Sequence, residues 1–121
     1  MKLGDAFLMP VPDQDCDHLW FVISDPTKHG GVFIIVNITS DEHRASGECP
    51  LGPGDHKWIK KKSFVSFGDA IEITPEKAKK IHTLVGKTIT LQRSLTPEVL
   101  SKIAKAGKSS KAIPLSFKKY L

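Results

Sequence analysis

His18-Leu-Trp-Phe-Val-Ile-Ser24, Lys28-His-Gly-Gly31 and Val32-Phe-Ile-Ile-Val-Asn-Ile-Thr39 decide the fold. The first run is rich in β-branched and aromatic side chains, which suit a pleated, half-buried strand. Asp25-Pro26 stops it. Gly30-Gly31 supplies the positive φ angles that a tight reversal needs. The second run is almost continuously apolar, so it reads as a strand buried on both faces. The short link between the runs predicts an antiparallel hairpin.

Upstream, Met1 to Asp17 reads as an irregular opening segment, with Pro10, Pro12 and a polar stretch from Asp13 to Asp17. Downstream, Ser40 to Gly47 reads as an exposed polar loop. Cys49 to Gly54 carries two prolines and two glycines, too many for a regular element. Asp55 to Ser63 reads as a basic loop. Phe64-Val-Ser-Phe67 and Ala70-Ile-Glu-Ile73 read as strands separated by Gly68-Asp69. Thr74-Pro75 and Thr96-Pro97 are two helix starts, each a capping hydroxyl followed by proline at the first helical position. The first opens a helix running to Val85. The second opens a helix with Val99, Leu100 and Ile103 on one stripe, closed at Gly107. Thr88-Ile-Thr-Leu91 adds a strand. Gly107 to Lys111 reads as a flexible link, and residues 108–121 as a basic tail on a domain of residues 1–107. In that tail Ile113, Leu115, Phe117 and Tyr120 are too apolar to stay free, so it is expected to dock on the body or a partner. About five strands with a late helix predict a mostly β, α+β domain: a small barrel with a C-terminal helix and tail.

The chain of 121 residues suits one domain, and its 40% hydrophobic content is enough for a core. No apolar run is long enough to span a bilayer. The first ten residues lack the apolar stretch of a signal peptide, so the cytoplasm is the expected compartment. The two cysteines, Cys16 and Cys49, are expected as free thiols. Net charge is +5 but lopsided: residues 1–56 carry −6 and residues 57–121 carry +11. Such asymmetry points to an acidic partner, nucleic acid above all, or else to a solvated basic face.

Lys57-Trp-Ile-Lys-Lys-Lys62 places an aromatic among cations. Phosphate contact and base stacking ask for that chemistry, which also serves to solubilise a loop. Five histidines are present. His29 and His82 read as surface residues. His18, His43 and His56 lie where an acid or base beside a cation could cleave a phosphodiester, although each also fits a loop histidine with a satisfied hydrogen bond. The Cys and His spacing does not match a structural zinc site, so no metal and no cofactor are expected. Phosphate-binding loops, nucleophile elbows and zinc-protease helices are absent from the sequence.

Val22-Ile-Ser24, the hairpin, Asn37-Ile-Thr-Ser40, the polar loop, Ser63-Phe-Val-Ser-Phe-Gly-Asp69 and Leu95-Thr-Pro-Glu-Val-Leu100 follow one another in an order that resembles the PemK/MazF family of toxin endoribonucleases. The likeness spans roughly residues 15–105. It implies an SH3-like barrel, a homodimer, metal-independent cutting of single-stranded RNA, and an acidic antitoxin whose extended tail fills the RNA groove. Thr39-Ser40 matches the family's hydroxyl pair. His18 stands where the family usually has its catalytic arginine, so Arg44 or His18 itself would take that work. Asp69 matches an acidic position. The expected catalytic set is His18, Ser40 and Arg44, with His56 in reserve, converging on one cleft. The expected RNA contacts are Thr39, Lys57, Trp58, Lys60, Lys61 and Lys62. The competing reading is a non-catalytic barrel that binds nucleic acid or a protein.

Overall fold

Two strand-forming runs on either side of Gly30-Gly31 form the centre of the sheet in the computed structural model, which describes residues 1–10 and 16–121. Strands β2 (Asp17–Val22) and β3 (Phe33–Thr39) pair antiparallel, with Trp20 opposite Asn37 and Val22 opposite Ile35. Both turn glycines have positive φ, 63° and 85°, as the reversal requires. The long β5 (Ser63–Ile73) lies on the other side of β3. With β1 (Ala6–Pro10), the two-residue β4 (Pro50–Leu51) and β6 (Thr90–Gln92), the sheet has six strands in the order β4-β5-β3-β2-β1-β6. Every pairing is antiparallel, and the sheet curls into a half-barrel.

Helix α1 (Pro75–Leu84) and helix α2 (Pro97–Ser109) start where the sequence places them, with the Thr74 and Thr96 hydroxyls accepting from the Lys77 and Val99 amides. The two helices explain why β3 is apolar along its length. On one face, Leu19, Phe21, Ile34, Val36 and Val65 join Val99 and Ile103 of α2. On the other, Trp20, Val22, Phe33, Ile35 and Ile73 join Ile81 of α1. A sheet covered on both sides must be apolar on both sides.

Five expectations are corrected. The opening segment is not irregular as far as Pro10, because Ala6–Pro10 forms β1, held by β2 and β6. The part of that expectation covering residues 11–15 lies outside the described residues. Pro50-Leu51 does form a strand, since two residues suffice to pair with Ser63 and Phe64. Gly68-Asp69 does not break the sheet: it sits in a register shift within one continuous β5. Gly107 does not close α2 but lies buried in its last turns, and there is no flexible link at 107–109. Beyond α2 the chain turns at Ser110, whose hydroxyl donates to Glu48 and accepts from the amides of Ala112 and Ile113. Ile113 is buried, and Phe117, Tyr120 and Leu121, around a 3-10 turn at Leu115–Tyr120, pack against the larger core, but Leu115, expected to dock with them, is 80% exposed because it sits on the outer side of that turn. Among the described residues, no helix is long and apolar enough to cross a membrane.

Candidate nucleic-acid interface

At the open end of the β2–β3 hairpin the apolar pattern gives way to polar side chains. Antiparallel pairing brings the start of β2 beside the end of β3, so His18 meets Thr39 and Ser40 across a long sequence gap. They line a groove of about 550 Å³ together with Cys16, Asp17, Ile38, Ser63 and the loop residues Trp58, Ile59, Lys60 and Lys61. The His18 Nδ1–H donates to the Ile38 carbonyl at 3.3 Å. A carbonyl can only accept, which assigns the Nδ1 proton and makes Nε2 the basic nitrogen of the neutral ring. Cys16 Sγ lies 3.8 Å from that Nε2.

The basic loop is presented by what it buries. Ile59 sits in the core at 2% exposure, while Trp58 is 38% exposed. His56 is 6% exposed, and both its nitrogens are engaged. Its Nε2–H donates to the Arg93 carbonyl at 2.6 Å and its Nδ1 accepts from the Trp58 amide at 3.0 Å. His56 is outside the groove lining and serves as the loop's anchor. Lys57 and Lys62 also lie outside that lining: the Lys57 carbonyl accepts from Lys60 Nζ, and Lys62 Nζ stands 5.5 Å from the Phe64 ring centroid.

Arg44 is not in the lining either. Its loop is wound tightly after β3, with the His43 and Arg44 amides both donating to Asp41 Oδ1. Its guanidinium grips Asp69 through two bonds, Nε to Oδ2 at 2.9 Å and Nη2 to Oδ1 at 3.3 Å. The Ser66 hydroxyl donates to the same carboxylate at 2.5 Å. Burial would raise the Asp69 pKa, but the bonds from Arg44 and Ser66, with the charges of Arg44 and His18, outweigh it and hold the carboxyl below its ordinary value. His18 and Arg44 therefore share an electrostatic partner, although only His18 and Ser40 share the groove. Ser66 opposes Asn37 across the sheet, and Asn37, 1% exposed, has a side-chain oxygen with no hydrogen bond among the described residues. Ser66 and the carboxylate's link to Arg44 escaped sequence reasoning; the Ser66-x-x-Asp69 spacing inside a strand was the available signal. Among the described residues, no group of three or more His, Cys, Asp or Glu side chains is placed to hold a metal ion.

The fold is shared with solved structures, one of them matched over nearly its whole length. That structure is an endoribonuclease in complex with its cognate antitoxin from a mycobacterial species. It matches with a TM-score of 0.57, covering 94% of this chain and 95% of that one at 14% identity. No family model and no curated protein matches the sequence. At that identity the likeness is one of fold: a curled antiparallel sheet with two helices.

Proposed function

We propose that this chain is a cytoplasmic, metal-independent endoribonuclease of PemK/MazF type, the toxin of a toxin–antitoxin pair, cutting single-stranded RNA. The observation that carries this reading is the groove itself, which gathers an imidazole, three hydroxyls, an exposed indole and two ammonium groups. The shared fold with an endoribonuclease solved with its antitoxin supports it. A base stacks on Trp58, and Lys60 and Lys61 hold the phosphates on either side. His18 Nε2 takes the proton of the 2′-hydroxyl as that oxygen attacks the adjacent phosphorus. The lysines and the Ser40 hydroxyl steady the charge that builds on the phosphoryl oxygens. The bond to the 5′ oxygen breaks, that oxygen takes a proton from a groove ammonium or from water, and a cyclic 2′,3′-phosphate remains. An acidic antitoxin segment would meet the same lysines, and a second copy of the chain would complete a homodimer.

The test is cleavage of a mixed-sequence RNA in excess chelator. Wild-type cleavage is expected to persist, and His18→Ala to lower it by roughly a hundredfold or more, the usual contribution of a general base. Undiminished cleavage by His18→Ala would take the imidazole out of the mechanism. Binding without any wild-type cleavage would favour the second reading, a non-catalytic nucleic-acid-binding half-barrel. The engagement of Arg44 by Asp69 outside the groove lining favours that alternative.

A further inference from the structure

We propose that Asp69 is a positioning residue: it holds the Arg44 guanidinium in one orientation beside the groove, with its remaining donors turned outward to receive an RNA phosphate. The proposal rests on the endoribonuclease reading for its substrate, but the clamp itself stands on geometry.

Arg44 is held at both ends. Asp41 accepts its backbone amide, and Ala45, buried at 1% exposure, pins the loop immediately after it. Asp69 accepts Nε and one Nη2 hydrogen. A guanidinium has five N–H donors in a rigid fork. The two bonds to Asp69 therefore leave the Nη1 edge without a protein acceptor among the described residues. That edge is the half of the fork that can grip a phosphate while the other half stays on the carboxylate. Asp69 is fixed in turn by the Ser66 hydroxyl, and it reaches this position because the register shift in β5 turns residues 67–70 out of the regular ladder. The loop that carries Arg44 begins at Ser40, which lines the groove, so the clamp stands only four residues along the chain from the groove wall.

Stability does not explain the arrangement. The two side chains are 38% and 28% exposed, and pairs so exposed contribute little to stability. A geometric role fits better: an arginine already ordered loses little freedom on meeting a phosphate.

Asp69→Asn tests the clamp because it keeps the shape and removes the charge. Three measurements are made on the full chain: the Arg44 Nε–H resonance, the affinity for a 2′-deoxy oligonucleotide that cannot be cut, and kcat and KM on RNA. Arg44→Ala is expected to weaken oligonucleotide binding several-fold. Asp69→Asn is expected to lose the protected Arg44 Nε–H signal, to weaken oligonucleotide binding to about the level of Arg44→Ala, and to lower kcat by on the order of tenfold as the phosphate loses its fixed partner. The double variant should be no worse than Arg44→Ala alone. A merely structural carboxylate would lower the melting temperature and leave the kcat-to-KM split untouched. If the wild type binds but does not cut, the endoribonuclease reading fails. The clamp then stands on the binding arm if Asp69→Asn abolishes the difference in affinity between Arg44 and Arg44→Ala, and falls if that difference persists. Wild-type affinity, kcat and Nε–H protection in Asp69→Asn would overturn it.

Discussion

Histidine has two different jobs in this molecule, and its surroundings decide which. His56 is buried with a backbone carbonyl on one nitrogen and a backbone amide on the other, so its ring ties the loop that carries Trp58 to the segment at Arg93. His18 is partly exposed, spends Nδ1 on Ile38, has its Nε2 3.8 Å from Cys16 Sγ and lines the groove. The cysteines divide in the same way. Cys16 is exposed at the groove, whereas Cys49 is buried. Burial pushes the Cys49 thiol up to about 11, with Lys102 opposing and Asp55 and Glu48 adding to the rise. A thiol whose pKa is higher folded than unfolded holds more protons in the native state. Its contribution is therefore complete below the unfolded thiol pKa and is lost as pH rises from there through about 11. Stability is expected to fall across that window less steeply in Cys49→Ala than in the wild type. Equal slopes in urea titrations of the two proteins would contradict this assignment.

Helix α2 does more than its apolar stripe announces. Val99 and Ile103 face the sheet, Lys102 Nζ reaches the Pro50 carbonyl at 2.6 Å, and Gly107 lets Phe67 and Leu121 approach. A Cβ at position 107 would lie 3.0 Å from Leu121 Cδ1 and 3.2 Å from Phe67 Cε1. In an open helix interior, Gly→Ala gains about 1 kcal/mol. Leu121 can move, but Phe67 is fully buried and cannot. Gly107→Ala is accordingly expected to lose about 1 kcal/mol net, the crowding outweighing the propensity gain. Urea denaturation would check it, and a gain in stability would mean that the ring yields. Strand β5 follows the same logic: its register shift, costly to a regular ladder, is what lets Ser66 and Asp69 bond within one strand.

Across the whole molecule, charge and fold act together. The acidic first half supplies most of the covered sheet, and the basic second half supplies the loop over the groove together with both helices. Binding to single-stranded RNA should weaken with salt, because each phosphate neutralised releases counterions, with a log–log slope of about −0.7 per contact. Replacing Lys60 and Lys61 by Gln should reduce that slope by about 1.4. Replacing Lys118 and Lys119, at the C-terminal turn and outside the groove lining, should leave it unchanged. Equal slopes for the two double variants would make the loop a general solubilising feature.

The sequence by itself determined the hairpin, the two helix starts and the basic loop, because alternation, capping hydroxyls, paired glycines and clustered lysines act over a few residues. It also carried His18, Thr39 and Ser40 to one end of the sheet, since antiparallel pairing alone joins the start of β2 to the end of β3. Only the tertiary structure decided the rest. Strand β1 exists because two neighbours hold it, and Gly107 stays helical because the tail and Phe67 close over it. His56 became an anchor when Arg93, 37 residues away, offered its carbonyl. Arg44 was drawn from the groove lining to Asp69, 25 residues along, by a kink in β5 that no local pattern encodes. Such partners are distant in sequence, and their bonds depend on register and burial, which exist only once the sheet has formed.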